Sequence, residues 1–172
     1  MKPPTSITVL VDTREQRPLL FPANIKVWEY GGKPQLVKIK TKRIGLATAD
    51  YALQGHEATA LVERKGSLDE LGKNLTSPDR RRQFAEFIRL RDTTANALIV
   101  IDENPVRLLD VTERSNPDMV LTELFSAMNR HDLRLMVVGG TKTTTGRRKL
   151  GEFVVRWLLS ICYGDKNAKT PA

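Results

Sequence analysis

Apolar positions along the chain fall into two patterns: short continuous runs, and stripes that recur every three or four residues. The runs predict buried strands and the stripes predict amphipathic helices. Ile7–Val11 is rich in β-branched residues and ends in Asp12-Thr13-Arg14-Glu15, so it predicts a buried strand opening into a polar loop. Gly31-Gly32 and Pro34 mark a turn, and Leu36–Lys40 follows as a half-exposed strand. Tyr51–Leu53 and Ala60–Lys65 predict a hairpin around Gln54-Gly55-His56-Glu57. Ala97–Ile101 and Leu133–Val138 are further buried strands, the second closed by Gly139-Gly140.

Helix starts are marked by capping chemistry. Ser77 suits an N-cap, Pro78 the first helical position, and Asp79 the positive helix end; Phe84, Phe87, Ile88 and Arg91 then share a face. Asn116-Pro117-Asp118 repeats the signal ahead of the stripe Val120, Leu121, Leu124, Phe125 and Met128. The threonine-rich Thr141–Thr145 stretch reads as a loop. Leu150, Phe153, Val154, Trp157, Leu158 and Ile161 form the most regular stripe, widened by Val155 and Leu159. Strands alternating with helices predict an α/β fold, a partly parallel central sheet covered on both faces. One domain is expected over residues 1–165, followed by a polar, disordered tail at 166–172.

Composition narrows the function classes. A length of 172 residues fits one domain. No apolar run approaches the ~20 residues of a membrane span, and the amino terminus has no signal-peptide pattern, so an intracellular protein without a membrane partner is expected. The single Cys162 excludes an internal disulfide, and two histidines, His56 and His131, are too few for a histidine metal cage. Any metal would be a hard cation on carboxylate oxygens. The 28 Lys+Arg against 20 Asp+Glu give a net charge of +8, which favours a polyanionic partner, most commonly nucleic acid. Nothing in the chain calls for a small-molecule cofactor.

The chemistry concentrates between Asp50 and Asp69. Alternation along a strand puts Glu63 and Lys65 on one face and Arg64 on the other. Asp50, on the partner strand, can meet Glu63 across the hairpin, and Asp12 and Glu15 cap a strand beside it. Carboxylates brought together repel, which a divalent cation relieves, and a lysine beside that cation can orient or deprotonate a water or stabilise phosphate charge. An acid followed by a strand bearing Glu-x-Lys suits metal-dependent hydrolysis of a phosphodiester. Arg80-Arg81-Arg82, at the start of the following helix, can hold a nucleic-acid backbone. The plain alternatives are a solvated hairpin with unrelated charges and an ordinary solvated helix face. For His131 a loop position at a helix end is sufficient; His56, in the hairpin loop, is a weak candidate for touching DNA, and Cys162 reads as a small core residue.

Together these blocks resemble the nuclease domain of the XPF family, the structure-specific endonucleases that cut branched DNA. Val11-Asp12-Thr13-Arg14-Glu15, Ala49-Asp50-Tyr51 and Val62-Glu63-Arg64-Lys65, with Asp69 four residues on, follow the family's order of Gly-Asp, a gap, Glu-Arg-Lys, three residues, Asp. Asp79–Phe84 and Ile88-Arg89-Leu90 resemble its arginine-bearing helix. The resemblance implies a restriction-endonuclease-like α/β/α fold and a Mg²⁺ or Mn²⁺ site. It implies Asp50 and Glu63 as metal ligands with Asp12 and Glu15 around them, Lys65 acting on the attacking water, and Arg64 and Asp69 as supporting partners paired with each other. Arg14, Arg80, Arg81 and Arg82 are the expected DNA contacts. The substrate it implies is branched DNA in repair or recombination, and the location cytoplasmic if the chain is bacterial or phage-encoded.

Ala49 stands where the family has glycine, and no tandem helix-hairpin-helix module follows the last helix, which reads as a minimal stand-alone nuclease. The alternatives are an inactive DNA-binding or dimerisation partner of the same fold and a binding protein that cuts nothing. A homodimer through the last two helices is expected: Val155 and Leu159 exceed the arc that one sheet face needs, and the resemblance implies pairing through this part of the fold.

Overall fold

A computed structural model describes residues 4–28, 33–76, 78–110, 116–139 and 142–164. The strands are β1 (Ser6–Asp12), β2 (Asn24–Val27), β3 (Gln35–Ile44), β4 (Tyr51–Leu53), β5 (Leu61–Lys65), β6 (Ala97–Ile101) and β7 (Arg134–Val137). The helices are α1 (Leu68–Thr76), α2 (Arg80–Thr93), α3 (Pro117–His131) and α4 (Thr144–Tyr163). All the strands join one seven-stranded sheet in the order β2-β3-β1-β4-β5-β6-β7. It is mixed: β3 runs parallel to β1, β5 to β6 and β6 to β7, while β2–β3, β1–β4 and β4–β5 are antiparallel. The predicted hairpin forms, with Tyr51 opposite Val62.

Alternation along the strands divides the core in two. Val9, Val11, Val62 and Val100 point to one face, where α4 lays Leu150, Val154, Val155, Leu158 and Leu159 on them. Ala52, Leu61, Ala97 and Ile99 point to the other, under Leu71 of α1, Phe87 and Leu90 of α2, and Val120 and Leu124 of α3. These are the three layers of an α/β/α fold. Gly151 lets α4 settle: a Cβ there would collide with the Leu20 carbonyl. No helix among the described residues is long and apolar enough to cross a membrane.

Several expectations shift. Helix α1 has no counterpart in the sequence reading; its Leu71 and Leu75 are fully buried. Helix α2 begins at Arg80 with Asp79 at its N-cap, so Pro78 precedes it; Ser77 lies outside the described residues. Its buried face is Gln83, Phe87 and Leu90, whereas Ile88 is 39% exposed and Arg91 faces solvent. Asn116 caps α3 as expected, accepting from the Asp118 N–H at 3.0 Å. The threonine loop is shorter than expected, since Thr143 caps α4 through the Gly146 N–H and helix begins at Thr144. Strand β7 is an edge, only half-buried. Val155 and Leu159 are buried in this chain's own core, which removes the packing ground on which a second copy was expected and leaves only the resemblance. The Gly31-Gly32 turn and the 166–172 tail lie outside the described residues.

Candidate active site

Four strands deliver their polar ends to one end of the sheet. Asp12 closes β1, Asp50 precedes β4, Glu63 to Lys65 finish β5, and Asp102 follows β6. Backbone bonds fix their spacing: Asp12 N–H to the Asp50 carbonyl at 2.9 Å, Asp50 N–H to Val62 at 3.0 Å, and Asp102 N–H to Lys65 at 2.8 Å. The carboxyl ends of β1, β5 and β6 gather here, where α/β sheets commonly place ligands. Ala49 leads into the cluster with φ of 68°, a left-handed conformation that costs alanine about 1–2 kcal/mol and glycine nothing. The glycine of the family pattern thus has a backbone reason at this position.

Glu63 and Lys65 share a face, and both are buried. Lys65 Nζ donates to Glu63 Oε1 at 2.6 Å and to Glu86 Oε2, from α2, at 3.3 Å. Burial alone would lower the lysine pKa, but the Glu63 and Glu86 charges outweigh it and hold it raised. Burial pushes Asp50 up to about 7, helped by the Glu15 and Glu86 carboxylates and opposed by the Arg64 N–H bond to Asp50 Oδ2 at 2.8 Å. Glu63 is raised for the same reason, with Asp50 itself the next contributor. Two desolvated carboxylates therefore oppose each other's ionisation, and a cation between them would relieve both. Among the described residues Asp50 Oδ1 and Glu63 Oε2 accept no hydrogen bond. No three His, Cys, Asp or Glu side chains among those residues are placed to enclose an ion. Two carboxylates, with waters and substrate phosphate completing the shell, are nonetheless a donor set that Mg²⁺ takes, so the residues fit such an ion.

The other expected acids are differently engaged. Asp12 is fully buried, its Oδ1 accepting from the Arg14 N–H and Nε at 2.7 Å and its Oδ2 from Arg14 Nη2 and, at 2.7 Å, the Leu46 N–H. Although burial raises its pKa, those bonds lower it by more. Asp12 thereby fixes Arg14 and the turn after β3. Glu15 accepts from the Arg17 N–H and, at 3.4 Å, from Tyr51 Oη and Arg64. Arg64 does not make the expected pair with Asp69; its guanidinium meets Asp102 Oδ2 at 2.5 Å and Glu15 at 3.4 Å. Asp69 instead sits in the first turn of α1, where a negative charge suits the helix end.

A cleft of about 620 Å³ opens over Asp50, Glu63 and Lys65 between α1 and α2, with Arg14, Lys73, Arg82 and Arg89 at its walls. The arginine run divides. Arg82 reaches the cleft, Arg80 is held by Glu123 at 2.7 Å and over the Phe84 ring, and Arg81 is exposed. Sequence reasoning missed Glu86 and Asp102, because no local pattern says which helix face or strand end will meet β5. His56 bonds Tyr163 at 3.0 Å at the far end of the hairpin, away from the acids. His131 is buried at the end of α3 rather than placed in a loop. Cys162 is partly buried against the α4 core.

No protein-family model and no curated protein sequence matches the chain. Solved structures do. XPF from Aeropyrum pernix matches with a TM-score of 0.59 at 18% identity, covering 96% of this chain and 65% of that one. The same protein in complex with DNA matches with a TM-score of 0.56 at 19% identity, covering 98% and 69%. This chain has that XPF-like, restriction-endonuclease-like fold, and spans a little under two thirds of the first of these structures.

Proposed function

We propose that this chain is a divalent-metal-dependent endonuclease, using Mg²⁺ or Mn²⁺, that hydrolyses DNA phosphodiester bonds and favours branched DNA such as flaps, forks and junctions. One observation carries the reading: the buried Glu63–Lys65 pair faces Asp50 at the floor of an open, cation-walled cleft. The fold shared with XPF, and the DNA complex of that protein, support DNA as the substrate class.

When bound, the cation would polarise the phosphate and make a water acidic. Asp50 and Glu63 would hold it, each offering one oxygen with no hydrogen bond among the described residues. Lys65, held by Glu63 and Glu86, would donate charge to the phosphate or would orient or help deprotonate the water. Asp12 and Arg14 hold the β1 loop against Leu46, and Asp12 joins the donor set only where Arg14 gives way. Arg82 and Arg89 stand where a phosphate backbone entering the cleft would pass. An inactive partner of the same fold would have no use for a buried Glu63 and a half-buried Asp50 facing one cleft. Self-association rests on the family resemblance alone.

The test is cleavage of end-labelled flap, fork, nicked, junction and linear DNA by the full chain with Mg²⁺, Mn²⁺ or Ca²⁺. Metal-dependent cutting that is strongest on branched DNA and lost in Glu63→Gln is expected. The absence of metal-dependent cutting on every substrate would overturn the reading.

A further inference from the structure

Helices α1–α3 cover only half of the sheet face that carries Glu63 and Lys65. Their side chains pack over β4, β5 and β6. The half made by β2 and β3 is open on that side, and the register shows what it presents. Thr8 lies opposite Lys40, and Leu10 opposite both Lys42 and Ala52; Ala52 belongs to the core beneath α1–α3. Lys38, Lys40 and Lys42 therefore share the face of Glu63, and Lys26 joins them from β2 through the Lys26–Leu36 pairing. All four lysines are exposed, none forms an ion pair with a described residue, and no acidic residue stands on this face of β2 or β3.

Lysines often blunt sheet edges, and β3, paired with β1 over Lys38–Ile44, is paired with β2 only over Gln35–Lys38, so Lys40 and Lys42 also guard an open edge. Lys38 lies inside the paired ladder, and the row as a whole stands on the side of the sheet that α1–α3 leave uncovered. The opposite face of the same strands is apolar, with Ile25, Val27 and Val37 buried in the α4 core. Along an extended strand, alternate residues are roughly 6.6 Å apart, so Lys38 to Lys42 lay a straight track of about 13 Å. The track ends beside the site: Ile44 pairs with Asp12, and the Leu46 N–H bonds the Asp12 carboxylate. From β3 to β5 is three strand spacings, roughly 14 Å. A duplex rises about 3.4 Å per base pair, so the track lies some four base pairs from the acids.

We infer that the lysine face of β2 and β3 is a second docking surface, which binds the phosphate backbone of a DNA duplex arm leading away from the acidic cleft. The inference rests on the nuclease reading for its partner, and charge complementarity selects that partner. Contacts of this kind position a substrate without reading its bases.

The test compares the full chain with a Lys38→Gln/Lys40→Gln/Lys42→Gln variant, binding a labelled 30-base-pair duplex and a flap in EDTA between 50 and 300 mM KCl. Each engaged phosphate contributes about 0.9 to the log–log salt slope, so the variant's slope should fall by roughly 2 to 3 units, with at least tenfold weaker binding near 100 mM. Arg130→Gln/Arg134→Gln, which removes charge at the opposite edge, should leave the slope unchanged. If the unaltered chain binds DNA but the triple variant keeps its slope, the lysine surface is overturned and the nuclease reading stands. Equal losses in both variants also overturn it, since net charge alone would then account for binding. An unaltered chain that neither binds nor cuts DNA overturns both.

Discussion

The Arg64 guanidinium and the Asp102 carboxylate stand 2.5 Å apart at neighbouring ends of β5 and β6, both nearly sealed from water. This pair takes the place expected of Asp69, and it ties β5 to its parallel neighbour β6. Removing one member leaves a buried charge uncompensated, which typically costs about 3–5 kcal/mol. Because Glu15 also reaches Arg64, Asp102→Ala should cost about 3 kcal/mol in urea denaturation, while Asp69→Ala stays below about 1 kcal/mol. Equal losses would contradict the assignment.

Lys65→Met should separate rate from cation binding. The ammonium is no oxygen ligand, so Mg²⁺ binding by calorimetry should persist, while cleavage falls on the order of a hundredfold or more. Loss of the cation with this variant would show that Lys65 holds the acids in place rather than acting on the phosphate.

Arg82 and Arg80 stand two residues apart in sequence and have different work to do. Arg82→Gln should lower the DNA salt slope by about one unit, because this side chain lines the cleft. Arg80→Gln should leave the slope alone and instead cost up to about 1 kcal/mol of stability, the worth of its exposed pair with Glu123.

His131 should make stability depend on pH. Its ring is buried, neither nitrogen has a hydrogen-bond partner among the described residues, and burial, with Arg91 and Arg130 nearby, lowers its pKa. The unfolded chain, with a histidine pKa near 6.5, then binds the proton first as pH falls. Below about pH 6.5 protonation stabilises the unfolded state more than the folded one, so stability declines with acidification until the folded pKa is passed. His131→Leu should flatten that decline in denaturant titrations between about pH 7 and 5. A slope unchanged by the substitution would exclude His131 as its source.

Leu159→Glu distinguishes a core position from an interface. With Leu159 only 1% exposed within the chain, a buried unpaired carboxylate should abolish the cooperative unfolding transition, not yield a folded monomer. A native circular dichroism spectrum with a smaller particle size by light scattering would restore the interface.

Much of the fold was legible in the sequence because its signals are local. Ala97–Ile101 is a strand by its unbroken apolar run, Asn116 caps a helix through its own side chain, and alternation alone puts Glu63 and Lys65 on one face. Helix α1 was harder to read: Leu68, Leu71 and Leu75 recur at helical spacing, but the stripe lies in only nine residues with a glycine inside them. The hairpin was legible too, and with it the meeting of Asp50 and Glu63, because a short antiparallel turn fixes its partner.

Long-range partners followed a different rule. Nothing near Arg64 in sequence names Asp102, which arrives only because β6 lies parallel to β5. Nothing near Lys65 names Glu86, which arrives because α2 buries Gln83, Phe87 and Leu90 and so turns that acid toward the strand. Val155 and Leu159 looked like surplus because a helix arc is measured against one flat face, while the twisted sheet and the segment around Leu19 cover more of α4. The sequence by itself determined on which side of a strand Glu63, Arg64 and Lys65 would stand, since that follows from a two-residue repeat. Only the tertiary structure decided which charges compensate one another. That depends on which strands become neighbours and on how much water their packing removes.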